Sequence, residues 1–520
     1  MNLTQDTTTF KGSSFNALVI IALQTICGWF LCPAIAQTQG NPIKPNQAKP
    51  SNIVSANPQN LLPIGVGAEN TGAYLSLLKN KRIGIVANPT STIGKTHLID
   101  TLKSLGITIT GVFAPEHGFR GDAENGAHIN NGIDPKSGLK IISLYGKHVK
   151  PTAEDLKDMD LVLFDIQDVG ARFYTYLTTL HYVMQACSDN NKGLIVLDRP
   201  NPNGFYVDGP VLQPPFKSMV GLHPIPIVHG MTLGELAKMI NAEGWLKDSL
   251  SPKRKACKLT VIPCTNYTHN RSYTLPVPPS PNLPTQNAIY LYPTLCLLEG
   301  TNVSMGRGTD KPFECFGAPW LKQGTYRFTP RAIPGKSLNP PYLGDTCHGV
   351  LLTNFASEFI ISYKHLYIEW LLMLYQECPD KSKFFNPFFD KLAGGAMLRQ
   401  QITQGLKPGE IRDSWQGDIE QFIQKRKPYL LYPFKIEVHS TKSDSCGIRT
   451  RLRHCFASRR SAMPLPIHST NESTSDSNFL RTSQQLTIAA RAPIFPSATD
   501  LSTLNRLNLG YPLAHKKRQR

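Results

Sequence analysis

The sequence predicts an α/β protein in which a parallel-sheet domain over residues 61–264 is followed by a smaller α+β domain over residues 265–433. Two observations predict it. In the first domain, short apolar runs rich in β-branched residues alternate with helical spacings, the pattern of parallel strands joined by crossover helices. In the second, Pro-rich loops surround helical patterns at Phe359 to Gln376 and Gly417 to Lys425. With 520 residues, 41% apolar and 18% charged, the chain can bury a sizeable core and holds more than one domain.

Residues 1–36 read as a signal peptide. Lys11 precedes an apolar run from Phe15 to Leu31, and Ala34-Ile35-Ala36 supplies the small-x-small cleavage pattern. A membrane anchor is the alternative, but Asn16, Gln24 and Thr25 interrupt the run and no stop-transfer charges follow it. Cys32 follows Trp29-Phe30-Leu31, which lacks the small residues of a lipid-modified cysteine site. Export to the periplasm or the extracellular space is therefore expected. Residues 37–60, rich in Pro, Asn, Gln and Ser without apolar periodicity, read as a solvated linker.

In the body, Arg82 to Ala87, Ile107 to Phe113, Lys140 to Leu144, Leu161 to Phe164 and Gly193 to Leu197 are predicted as buried strands. Ser76 to Lys79, Thr96 to Leu105, Thr152 to Lys157 and Tyr174 to Ser188 carry helical spacing. The layout is Rossmann-like, yet the first strand exits through Asn88-Pro89-Thr90-Ser91 with a lone Gly94. Neither GxGxxG nor a P-loop is there, so no dinucleotide cofactor is expected. Of eleven cysteines, seven lie in the body at irregular spacing, without CxxC pairs or Cys/His clusters. No metal is expected, most cysteines read as small core residues, and a Cys257–Cys264 disulfide is the one pairing kept open.

The formal charge of +18 is uneven: the stretch 434–520 holds 14 Lys/Arg against 5 Asp/Glu, a net +9 that is half the total. This stretch reads as a disordered basic tail, with a grip on anionic wall polymers as the sharper alternative. A nucleic-acid-binding reading draws only on the pI and this tail, and a signal peptide argues against it.

Ligands of open α/β sheets sit beyond the carboxyl ends of the strands, and polar residues crowd there. Glu116, His117 and Arg120 share one Gly-flanked loop. Glu116 is the leading acid/base candidate, because glycoside cleavage needs a carboxylic acid to protonate the leaving oxygen and burial raises its pKa. A loop salt bridge between Glu116 and Arg120 is the bland alternative. The next exit carries Asp165, Gln167, Asp168, Arg172, Tyr174 and Tyr176. The acids offer a second carboxylate, Gln167 a polar contact and the tyrosines stacking faces, although Asp168 and Arg172 can also pair along a helix. Asp198, followed by Pro200 and Pro202, reads as the anchor of a rigid turn.

In the second domain, Ser280-Pro281-Asn282 and the segment Glu299 to Thr309 stand out. Arg307 can hold an anionic group in a forked pair, and Glu299 is the runner-up carboxylate. Thr232 and Glu235 match a capping box, and His229 just before it is an open candidate for the cleft.

Together the strings APEHGFRG, FDIQDVGARFYTY, LDRPNPNG, HGMTLGELA, SPN, EGTNVSMGRGTDKPFE and GAPW resemble the exo-β-N-acetylmuramidases, a family of exported bacterial proteins first known only as a domain of unknown function. The resemblance runs in order from about Leu75 to Pro433. It implies a Rossmann-like domain, a smaller C-terminal domain, and a cleft in which terminal N-acetylmuramic acid (MurNAc) is released from peptidoglycan fragments. The implied partners are muropeptides or a MurNAc–GlcNAc disaccharide, at the periphery of the cell wall. By motif, Glu116 is the implied catalytic carboxylate, and His117, Arg120, Gln167, Asp168, Arg172, Tyr174, Tyr176, Asn282, Glu299 and Arg307 are the implied pocket residues. Met305 stands where the family favours a Glu, and nothing in the family matches the stretch after Pro433. A module that captures muropeptides without cleaving them is the competing class; it would use Arg307 and the aromatics but not Glu116.

Overall fold

The computed structural model describes residues 62–116, 118–120, 132–247, 251–321 and 324–434. The signal peptide, the linker at 37–60 and the tail beyond Phe434 lie outside the described residues.

A helix, α1 (Thr71–Leu78), leads into β1 (Ile83–Ala87), a two-strand hairpin of β2 (Thr92–Ile93) and β3 (Thr96–His97), α2 (Leu98–Ser104) and β4 (Ile109–Ala114). There follow β5 (Gly132–Ile133), β6 (Lys140–Ser143), α3 (Ala153–Leu156), β7 (Leu161–Asp165), α4 (Tyr176–Asp189), β8 (Gly193–Leu197), α5 (Leu233–Ala242) and β9 (Lys258–Ile262). The sheet order is β5-β6-β4-β1-β7-β8-β9, and β5 alone pairs antiparallel. Leaving β5 aside, strands taken in sequence lie in the order 3-2-1-4-5-6, the doubly wound arrangement whose direction reverses beside β1.

The five predicted strands are all present. Their side chains divide by alternation: Ile83, Ile85, Leu161, Leu163, Ile195 and Leu197 pack with Tyr74, Leu78 and Leu102 on one face, while Val86, Val162, Phe164, Leu194 and Val196 face the larger core. Sequence reasoning missed β9, whose exposure alternates along an edge strand, and the two-residue β5. The Thr232/Glu235 capping box forms as expected at the start of α5.

The remainder is a smaller helical and sheet region. It comprises α6 (Gln286–Leu295), an antiparallel sheet of β10 (Cys315–Ala318), β11 (Tyr326–Phe328) and β12 (Cys347–Leu351), and the helices α7 (Ile361–Tyr363), α8 (Glu369–Glu377), α9 (Phe389–Ala393), α10 (Met397–Thr403) and α11 (Pro408–Arg426). The helix expected over Phe359 to Gln376 is broken. A π-helical stretch, Ala356–Ile360, precedes α7, and Lys364 then turns left-handed at φ 57°. The amides of Leu366 and Tyr367 are drawn away to Asp208 Oδ2 (2.8 Å) and Thr294 Oγ1 (3.1 Å), so tertiary acceptors replace the helical ones. The last helix is longer than expected, because Pro408 sits in its first turn and Glu410 accepts from the Lys407 amide at 2.7 Å.

All seven body cysteines are free and buried, Cys257 and Cys264 included; no disulfide joins that pair. Cys264 is engaged otherwise, its thiol donating to the Asp198 carbonyl at 3.2 Å.

The last described residues strap the C-terminal region to the parallel sheet. The amides of Leu431 and Tyr432 donate to Glu235 Oε1 at 2.7 and 3.3 Å. The Tyr432 hydroxyl donates to Asp198 Oδ2 at 2.7 Å and accepts from the Cys264 amide at 2.9 Å. Phe434 stacks on His269, ring centroids 4.7 Å apart. Asp198 also takes bonds from Thr232 Oγ1 (2.6 Å) and the Gly234 amide (2.8 Å), which makes it the turn anchor its neighbours suggested.

Candidate active site

A cavity of about 240 Å³ opens where strand exits of the parallel sheet meet the smaller region. Its wall includes Glu116, Phe173, Tyr174, Thr175, Tyr176 and Val220 from the sheet side. Ser280, Asn282, Tyr292, Glu299, Arg307 and Phe313 come from the other.

Glu116 stands two residues beyond the end of β4. Thr175 Oγ1 donates to its Oε2 at 3.3 Å, and Tyr145, two residues beyond β6, hydrogen-bonds the same carboxyl. Burial raises the Glu116 pKa, against the opposing pull of the Thr175 bond and the Arg307 charge. The carboxyl therefore keeps its proton to higher pH than an exposed glutamate. Arg120 does not form the loop salt bridge with Glu116; its guanidinium grips Asp134 at 2.9 and 2.7 Å and reaches Asp100 at 3.3 Å.

The second carboxylate of the cavity is Glu299. Arg307 donates to its Oε1 through Nε (2.9 Å) and Nη2 (2.6 Å), and the guanidinium lies 5.1 Å from the Phe313 ring centroid. Burial and the Glu299 charge act in opposite senses on Arg307, and the net shift is upward, so this cation is fixed at any working pH. Tyr174 and Tyr176 meet edge to face at 4.9 Å. Tyr174 donates to the Pro279 carbonyl at 2.7 Å, which fixes its ring in the wall. Asn282 reaches the Lys336 carbonyl at 2.8 Å.

Of the sequence-predicted pocket residues, the structure thus gathers Glu116, Tyr174, Tyr176, Asn282, Glu299 and Arg307 around one space. His117 lies outside the described residues. Arg120, Gln167, Asp168 and Arg172 are not among the described lining residues. Gln167 is buried and donates to the carbonyls of Asp168 (2.8 Å) and Pro200 (2.7 Å). Asp168 accepts from the Gly170 amide at 2.6 Å. Arg172 spends its guanidinium on the carbonyls of Pro210, Ile225 and Leu392, so the helical Asp168–Arg172 pair does not form; its bond to Leu392, itself a wall residue, makes it a brace behind the cavity. Asp165 is bound to Arg199 at 2.6 and 2.8 Å inside the sheet. His229 is buried with Nδ1 accepting from Met231, and burial lowers its pKa to about 3. Met305 is also buried, in the larger core.

Sequence reasoning missed Tyr145, Thr175 and Tyr292, while Ser280, in the segment it singled out with Asn282, does line the cavity. Tyr145 carried a usable signal, since it follows a predicted strand at its carboxyl end. Tyr292 did not, because Pro293 inside α6 obscures the helix that presents it.

Residues 83–287 match the N-terminal domain of the exo-β-N-acetylmuramidase NamZ family, and residues 290–432 match its C-terminal domain. The chain is 37% identical over 425 residues to the peptidoglycan β-N-acetylmuramidase NamZ of Bacillus subtilis, an alignment spanning 78% of this chain and 98% of the relative. A crystal structure of a DUF1343 family protein from Bacteroides fragilis is 48% identical, with a TM-score of 0.66, and covers 72% of this chain and all of its own. A second from the same organism is 28% identical, with a TM-score of 0.60 over 71% of this chain and 99% of its own. With both family domains matched in order across the body, the chain belongs to the exo-β-N-acetylmuramidase NamZ family.

Proposed function

We propose that this chain is an exo-acting glycosidase that releases MurNAc from the non-reducing end of peptidoglycan fragments, during cell-wall turnover. One observation carries the reading: a single cavity holds a buried carboxyl with a raised pKa, Glu116, together with a carboxylate locked to an arginine, Glu299. A buried carboxyl that keeps its proton, with a second carboxyl in the same cavity, is the equipment glycoside hydrolysis uses.

In this assignment Glu116 gives its proton to the glycosidic oxygen as the C–O bond breaks. Water completes the sugar at its anomeric carbon and restores a proton to the site. Arg307 is the cation for the lactyl carboxylate that distinguishes MurNAc, and Tyr174 and Tyr176 form the wall against which the ring rests. At about 240 Å³ the cavity is smaller than the roughly 300–1,000 Å³ of sites for drug-sized ligands, which suits one terminal ring better than an internal stretch of glycan. The substrates are muropeptides or a MurNAc–GlcNAc disaccharide. An exported protein, periplasmic or extracellular and peripheral to the wall, fits both that substrate and the N-terminal sequence.

The test is release of free MurNAc from a MurNAc-terminated disaccharide by the full chain and by Glu116→Gln. The expected result is release by the parent and a loss of about 10²–10⁴-fold in the variant. A folded parent that binds the disaccharide without cleaving it would replace the enzyme with a capture module.

A further inference from the structure

The sheet itself places a second functional group against Glu116. Strands β4 and β6 run parallel with Ala114 opposite Ser143, and the Leu144 amide continues the ladder to the Ala114 carbonyl at 2.8 Å. Glu116 and Tyr145 each stand two residues past the ends of these neighbouring strands. There the phenol hydrogen-bonds the carboxyl, while Thr175, just ahead of α4, holds Oε2 from another direction. Tyr145 is half-buried, and burial together with the Glu116 charge raises its own pKa, so it stays a neutral O–H donor.

We propose that Tyr145 is a positioning residue of the reaction, whose hydroxyl orients the Glu116 carboxyl and favours its ionised form between proton transfers. This rests on the assignment of Glu116 as the acid. A hydroxyl donated to a carboxylate stabilises the ionised state, which opposes the desolvation that raises the Glu116 pKa. Burial alone would keep the proton on, and the Glu299 charge adds to that; the Thr175 bond, the Arg307 charge and the Tyr145 bond pull the other way. Tyr145 and Thr175 come from different crossovers of the sheet, so two independent donors fix one side chain at the cavity wall.

The perturbation is Tyr145→Phe, read as the pH dependence of MurNAc release. Removing one donor to a charged carboxylate should move the Glu116-dependent limb upward by about one pH unit. 3-Fluorotyrosine at position 145, isosteric and a stronger donor, should move the same limb downward, and it serves if the phenylalanine variant fails to fold. A profile shifted in opposite senses by the two replacements supports the role. Profiles that coincide with that of an active parent, or that only scale in height, overturn it. A folded parent with no release overturns the glycosidase reading itself, an outcome distinct from an unmoved limb.

Discussion

Asp168 offers a measurement of what the sheet end pays to hold a charge. Its Oδ1 accepts the Gly170 amide at 2.6 Å, while Oδ2 meets no hydrogen-bond partner among the described residues. Desolvation pushes its pKa from 3.8 up to about 7. A folded-state pKa above the unfolded one means that the native protein holds the proton more tightly, so stability falls as pH rises through the window between the two values. Three units at about 1.4 kcal/mol each give a cost of about 4 kcal/mol once both states are ionised. Less than half of this has developed by pH 5.

Asp168→Asn keeps the acceptor for Gly170 and removes the charge, at the expense of burying an amide nitrogen in place of Oδ2, about 1–3 kcal/mol at every pH. Urea unfolding of parent and variant at pH 5 and pH 8 then separates the two effects. The variant should gain on the parent by about 2–3 kcal/mol between these conditions, whatever its offset at pH 5. Stability curves that run parallel across that range would refute the argument, and would mean that the Asp168 environment accepts an ionised carboxylate.

Two further outcomes follow from bonds described above. Tyr432→Phe removes the donor to Asp198 and strands the buried Cys264 amide, so urea unfolding should show a loss of about 2–4 kcal/mol with little change in the m-value; a loss well under 1 kcal/mol would show that the strap is ornamental. Arg307→Lys keeps a charge but loses the planar fork that grips Glu299, and should raise KM for MurNAc-terminated substrate about tenfold or more while narrowing its preference over the lactyl methyl ester; an unchanged preference would place carboxylate recognition elsewhere.

The strands and the main carboxylate were legible for one reason: buried parallel strands are continuous apolar runs, and whatever follows them is at the ligand end of the sheet. Glu116 and Tyr174 follow from that rule, and so would Tyr145. Asp165, Gln167, Asp168 and Arg172 obey the same rule, yet the structure turns Asp165 into the sheet, Gln167 and Arg172 onto backbone carbonyls and Asp168 onto the Gly170 amide. Composition at a strand exit does not tell inward from outward when Asp165 has a buried Arg199 to meet. β9 escaped notice because an edge strand is half exposed and its lead-in is lysine-rich. The break after Tyr363 was invisible because its cause lies far along the chain: the acceptor for the Leu366 amide is Asp208.

The strap at Leu431 to Phe434 bears on the order in which the molecule can be made. Glu235 and Asp198, buried within the parallel-sheet half, receive part of their hydrogen bonding only from residues synthesised about two hundred positions later. A nascent chain that ends before Leu431 therefore leaves these two buried carboxylates served by Thr232, Gly234 and His269. The parallel-sheet half, whose apolar core on one face is complete without the strap, gains its full stability only when the last residues arrive.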